Sequence, residues 1–302
     1  MLQPMSRRLY TVALLTALAM PLSATPARAC TTCVTGDPTL TAMGAQQPFE
    51  GRLRLSLEAS HRSERFGLPG DNETTVDEQR LTASVAYAPS THLMLSLQVP
   101  VVRRHVQYVS LATETLVNLG DIEARARLIL FTDTQFAPDH VLAVVGGVKF
   151  PTAPLHEEDG EYAEPEVQSG NGSFDPLIGV SYSFFADPLS IYVSEVVYIP
   201  TPSRADWRVG TSWLGTHTIQ YQLIDTLAIR LGANTRLDET MSRDFGDEPD
   251  SGGFILYAAP SLLYSPTMDL VLHAEVSVPV AHAQRGDHEE GLVAVLGVAY
   301  DL

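Results

Sequence analysis

The chain has 302 residues, of which 45% are hydrophobic and 18% charged, with a formal net charge of −17. That balance excludes a disordered chain, and so strong a negative charge excludes nucleic acid, whose binding needs a basic surface. Beyond the N-terminal stretch no run of 18 apolar residues occurs, which excludes a transmembrane helix.

Arg7 and Arg8 precede a short apolar run from Leu9 to Pro21, and Ala27-Arg28-Ala29 forms an A-x-A cleavage site. Residues 1–29 therefore read as a secretory signal peptide. Its removal takes away three arginines, leaving 16 basic against 36 acidic residues, about −20. Cys30 and Cys33, the only cysteines, then stand at the new N-terminus as C-T-T-C. In an oxidising compartment a local disulfide is the first reading. A lipid anchor on Cys30 is the second, although Ala27 and Arg28 are not the residues a lipoprotein signal carries. A metal or redox role is the third, two thiols being half a zinc site. Residues 30–50 form an N-terminal extension, expected either in the periplasm or folded inward as a plug.

A secreted chain without an apolar helix can still span a membrane as a closed barrel, which satisfies every backbone group. The rest of the chain fits that solution, because apolar residues alternate with polar ones at the period of a strand. In 51–60, Leu53, Leu55, Leu57 and Ala59 alternate with Arg52, Arg54, Ser56 and Glu58. In 80–88 the apolar set is Leu81, Ala83, Val85 and Tyr87, and in 92–101 it is Leu93, Leu95, Leu97 and Val99. Residues 119–131 set Ile122, Ala124, Ala126 and Leu128 against Asp121, Glu123, Arg125 and Arg127. Residues 226–237 set Leu227, Ile229 and Leu231 against Arg230 and Arg236, and 268–280 set Leu270, Leu272 and Val276 against His273 and Glu275. Weaker strands are expected near 140–150 (with Lys149), 173–185, 189–199, 207–223, 253–264 and 291–302, making about twelve.

Connections are expected to alternate between short turns, such as Pro89-Ser90-Thr91 and Ala186-Asp187-Pro188, and long loops near 61–79, 102–118, 151–172, 200–206, 238–252 and 281–290. That two-class pattern belongs to transmembrane up-and-down antiparallel β-barrels of the outer membrane. The last strand ends with Tyr300 and Leu302 on one face, similar to the insertion signals read by the barrel-assembly machinery, with Leu302 departing from their usual terminal Phe. Trp207, Trp213, Tyr192, Tyr198, Tyr257, Tyr264 and Tyr300 are expected in aromatic girdles. The alternation also suits a soluble periplasmic sandwich or barrel, with the faces reversed. Strand number, loop alternation and the terminal strand favour the membrane, giving residues 51–302 as the barrel.

Several short phrases carry a family resemblance. Leu119-Gly120-Asp121-Ile122, Gly146-Gly147-Val148-Lys149-Phe150-Pro151-Thr152, Gly170-Asn171-Gly172-Ser173-Phe174-Asp175-Pro176 and Pro260-Ser261-Leu262-Leu263-Tyr264-Ser265-Pro266 resemble a family of outer-membrane transporter barrels linked to phenol meta-pathway degradation. Thr152-Ala153 departs from the Pro-Thr-Gly often seen there. The resemblance implies a barrel in the outer membrane of a Gram-negative bacterium that passes small, apolar or aromatic compounds.

The polar faces nominate a lumen lined by Arg52, Arg54, Glu58, Asp121, Glu123, Arg125, Arg127, Lys149, Arg230, Arg236, His273 and Glu275. The cations outnumber the acids by about three, which would suit weakly anionic solutes, but a mesh of ion pairs bracing the wall is the expected role of most of these residues. The acidic loops, including His156-Glu157-Glu158-Asp159-Gly160-Glu161, are expected as a solvated, extended rim. A Ca²⁺ or Mg²⁺ bridge to lipopolysaccharide is the weaker alternative. No G-x-S-x-G elbow is present, so no enzyme and no cofactor are expected. The expected function is a channel for small molecules; the alternative is a closed structural barrel whose acidic loops or C-T-T-C segment bind a partner or metal.

Overall fold

The computed structural model describes residues 40, 43–68, 70–158, 161–163, 165–205, 207–243, 246–247 and 251–302. The signal peptide and the Cys30–Cys33 pair lie outside them. Strand segments follow in chain order: β1 Leu53–Phe66, β2 Thr74–Ser90, β3 Leu93–Tyr108, β4 Thr113–Leu119, β5 Ile122–Thr132 and β6 His140–Phe150. Two-residue segments β7 (Glu157–Glu158) and β8 (Glu161–Tyr162) belong to a loop. Then come β9 Asp175–Ala186, β10 Leu189–Tyr198, the short β11 Trp207–Arg208, β12 Ser212–Ile224 and β13 Leu227–Asp238. Short β14 (Ser242–Arg243) and β15 (Gly246–Asp247) precede β16 Gly253–Tyr264, β17 Leu270–Gln284 and β18 His288–Asp301.

Each long strand pairs antiparallel with its neighbours in sequence, and β1 pairs with β18, so the sheet closes. Segments β4 and β5 both pair with β3 and act as one crossing interrupted at Gly120-Asp121. The result is a closed barrel of twelve crossings. The interruption falls where β3 carries Pro100, which has no N–H to give the ladder; its carbonyl accepts the Gly120 amide at 2.8 Å.

The two faces of the wall sort by chemistry. Leu55, Leu57, Leu95, Leu231 and Leu296 are 45%, 44%, 44%, 61% and 65% exposed on the outside, while Arg104, Arg127 and Arg236 on the inside are at most 2% exposed. A soluble barrel would reverse this. At the end with short turns, Tyr87, Phe131, Tyr182, Tyr221, Tyr264 and Tyr300 ring the outer face, as interfacial aromatics do. At that end the turn carboxylate Asp133 accepts the His140 amide at 2.9 Å, a bond that holds its pKa below the usual range.

Three features of the barrel depart from the expected pattern. The expected loops 61–79, 102–118 and 281–290 are largely strand: β1 continues to Phe66, β2 begins at Thr74, β3 reaches Tyr108, and β17 and β18 meet across residues 285–287. These extensions rise above the apolar belt, so His61, Gln79 and Arg103 occupy the outer face and the apolar alternation vanishes while pairing persists. Second, Tyr192, Tyr198, Tyr257 and Trp207 are not girdle residues; they are buried at 4%, 7%, 1% and 6% exposure. Third, the acidic loop near 151–172 is not an extended rim, for Ala153, Val167, Gln168, Ser169 and Asn171 are all buried.

Candidate functional site

At the loop end, the segment between β6 and β9 turns into the barrel, and Asp121 at the β4–β5 interruption holds it there. One carboxylate oxygen accepts the amide of Ala153 and the other that of Asn171, each at 3.1 Å. Gly170 makes this approach possible, since a Cβ there would lie 2.5 Å from both Asp121 oxygens. The Arg104 guanidinium donates to the Gln168 carbonyl. The Gln168 side chain in turn bonds His156 and Ala163, closing the loop on itself. Ala163 and Val167 pack on Val76 and Val106 of the wall. Above them Ala205, Trp207, Val209 and Met241 form an apolar lid with Leu155, and the Trp207 indole donates to the Asn171 carbonyl at 3.2 Å.

Beneath this cap the lumen is crossed by ion pairs. Glu78 accepts from Arg62 at 3.1 Å, Arg80 at 3.0 Å and Arg104 at 2.6 Å. Arg236 lies between Asp238, at 2.8 Å, and Glu290, which also takes the Tyr257 hydroxyl. Arg125 pairs with Glu123 and donates to the Tyr198 hydroxyl at 2.5 Å; that hydroxyl donates back to Glu123 at 2.9 Å. Lys149 reaches Asp175 at 2.6 Å, and Asp175 also receives Asn171 and Ser173. Pairing offsets the several kcal/mol that desolvating each charge costs.

At the turn end, Arg52 and Arg54 both fork onto Asp301, with contacts of 2.6 to 3.1 Å. Arg127 donates to the carbonyls of Gly44, Ala45 and Gln46, each at 3.1 Å, and Ser183 adds a bond to Ala45 at 3.0 Å. Met43 is fully buried against Ala86, Ala88 and Met94. The described part of the N-terminal extension thus enters the mouth of the barrel.

Midway, His273 reaches Glu58 at 3.4 Å by lying across Gly297, where a Cβ would stand 2.0 Å from the imidazole. Glu275 accepts from Ser277 at 2.9 Å and Asn234 at 3.3 Å. Arg230 donates Nε to Gln220 at 2.7 Å and has no ion pair among the described residues.

Each residue nominated from the sequence lies in one of these layers. The strand pattern missed Arg62, Arg80 and Arg104, and with them Glu64, Glu78, Glu114, Asp175, Asp238, Glu290 and Asp301. Their inclusion removes the surplus of positive charge expected for the whole lumen. Arg62 and Glu64 continue the parity of Arg54 and Glu58, a signal that was available had β1 been carried past His61.

Three cavities follow one another along the axis. At the turn end is one of about 490 Å³, bordered by Arg54, Tyr192, Arg230, His273 and Gln46. It shares His273 and Ala299 with a middle cavity of about 110 Å³. That one shares Arg80, Asp121, Glu123 and Lys149 with a cavity of about 50 Å³ under the inturned loop. Among the described residues no group of three or more His, Cys, Asp or Glu is arranged to hold a metal ion.

An apolar exterior, a polar interior and a closed antiparallel wall define a transmembrane β-barrel of twelve strands. An outer membrane channel from Pseudomonas putida F1 has a similar structure, with a TM-score of 0.68 at 12% identity over 85% of this chain and 98% of that one. The translocator domain of the autotransporter NalP from Neisseria meningitidis matches at TM-score 0.48 and 12% identity, covering 85% of this chain and 91% of that one. A mutant of the monoaromatic hydrocarbon channel TodX matches at TM-score 0.48 and 9% identity, covering 93% and 99%. No protein-family model and no curated protein matches the sequence.

Proposed function

We propose that the chain is an outer-membrane channel for small solutes. The observation that carries this reading is the succession of polar-lined cavities through a wall whose outside is apolar. Barrels of eight strands are filled by side chains and those of sixteen or more hold wide water channels, so twelve crossings suit a narrow, partly filled path. Short turns face the periplasm and longer loops the exterior in such proteins, so in this reading the wide vestibule opens to the periplasm and the inturned loop to the exterior. Phe185, Leu263 and Val271 beside the arginines suit solutes with an apolar body and a polar or weakly anionic group. Passage of aromatic compounds, as the family resemblance implies, fits that lining. Lipopolysaccharide around the loop end and the assembly machinery at the C-terminal strand complete the proposed surroundings.

One feature favours the second reading, a barrel that is closed at rest. The cavity under the inturned loop, at about 50 Å³, has room for only a few water molecules. Liposome swelling with the purified full chain separates the two. Entry of small organic acids and alcohols with exclusion of larger sugars is expected for a channel. Liposomes that do not swell with any of them would leave the closed barrel.

A further inference from the structure

We propose that the turn-end vestibule is a binding site for a small organic monocarboxylate, with Arg230 as its anchor. The inference rests on the channel reading for its physiological sense, and on the geometry alone for its chemistry. Arg230 projects from β13 into the cavity of about 490 Å³, a size typical of small-ligand pockets. Its guanidinium gives Nε to the Gln220 side chain and has no ion pair with any described carboxylate. A guanidinium held in a partly desolvated wall without an anion is an uncommon arrangement, because charges taken from water are normally paired. The inward acid Glu275 is already bonded to Ser277 and Asn234.

The surrounding charge is biased the same way. Asp301 is shared by Arg52 and Arg54, so within the wall of the vestibule three arginines, counting Arg230, face a single carboxylate. At the cap end the carboxylates Glu78, Glu123, Asp175 and Glu290 are each paired with a cation. The lumen as a whole is near balance. The aspartates Asp225 and Asp269 also border the vestibule. They sit in turns at the open rim, where water screens them. A guanidinium forks onto a planar carboxylate through two parallel bonds, and Leu263, Val271 and Phe185 supply an apolar wall for the remainder of the molecule.

The test is calorimetric titration of the detergent-solubilised full chain with benzoate as probe and benzyl alcohol as its uncharged counterpart. Benzoate is expected to bind to the wild type, at least tenfold more weakly to Arg230→Gln, and with intermediate affinity to Arg230→Lys, which keeps the charge and loses the fork. Benzyl alcohol is expected to bind no better to the wild type than to Arg230→Gln. Each variant is first checked for the heat-modifiable band of a folded barrel, and the lysine variant covers the case in which the glutamine variant does not fold. Equal benzoate affinity in wild type and Arg230→Gln, or loss of binding in Arg230→Lys as complete as in Arg230→Gln, would overturn the anchor. So would benzyl alcohol binding as tightly as benzoate. Because binding in detergent needs no conduction, a bilayer that stays silent while benzoate binds removes the channel and leaves the site standing.

Discussion

Replacing Asp121 by alanine tests how the loop end is closed. The carboxylate holds two backbone amides of the inturned segment, those of Ala153 and Asn171, at 3.1 Å. A hydrogen bond to a charged acceptor contributes about 1.5–3 kcal/mol, and water takes over the amides once the segment swings out. A net loss of about 3 kcal/mol for the pair shifts the ratio of open to closed loop on the order of a hundredfold. The remaining anchors, Arg104 on Gln168 and Trp207 on Asn171, keep the open form from becoming complete. The assay is planar-bilayer recording beside digestion by a glutamyl endopeptidase, for which the segment offers Glu157 and Glu158. Asp121→Ala should raise open probability and speed cleavage within 153–172, with an unchanged heat-modifiable band. Wild-type conductance and wild-type cleavage in a folded variant would refute the account of the cap.

Other perturbations follow from the same packing. Glu78→Ala removes the carboxylate that three arginines share, leaving Arg62 its pair with Glu64 but Arg80 and Arg104 without that acid, and should destabilise the barrel by about 3–5 kcal/mol in urea unfolding, with partial recovery on adding Arg104→Met. Leu296→Arg puts a cation on the lipid-facing wall at a position 65% exposed, and should cost about 2–4 kcal/mol in vesicles but much less in a small-headgroup detergent that tolerates deformation. Arg127→Met removes the donor to three carbonyls of the N-terminal segment. A spin label at residue 45 should then become mobile, and an immobile label would show that Met43 and Ser183 hold the segment without it.

The outer face was legible in the sequence because lipid imposes one rule along its whole height: every second residue is apolar. Leu55, Leu95 and Leu272 could be assigned on parity alone. Legibility failed where the rule stops. Above the belt, at His61, Gln79 and Arg103, both faces are polar, so paired strand looks like loop, and the buried Arg62, Glu64, Glu78 and Arg104 were lost with it. It failed again where the inside is also apolar. Val145, Leu177, Val196 and Leu214 pack together on the inner face. In β10 they leave Val193, Val196, Val197 and Tyr198 with no readable parity, and Tyr198 passed for a girdle residue when its hydroxyl serves Arg125 and Glu123. The inward turn of the 151–172 segment depends on Asp121 and Gly170, some fifty residues apart, and no local pattern encodes that meeting.

Solute movement through the polar lumen is tested most directly by single cysteines placed on neighbouring residues of opposite face, in a chain whose Cys30 and Cys33 are serine. Ser56 borders the middle cavity and Leu57 faces lipid at 44% exposure. A small charged thiol reagent added during bilayer recording should block current through Ser56→Cys and leave Leu57→Cys unaffected. Undiminished current through Ser56→Cys after demonstrated labelling would contradict the lumen as the path.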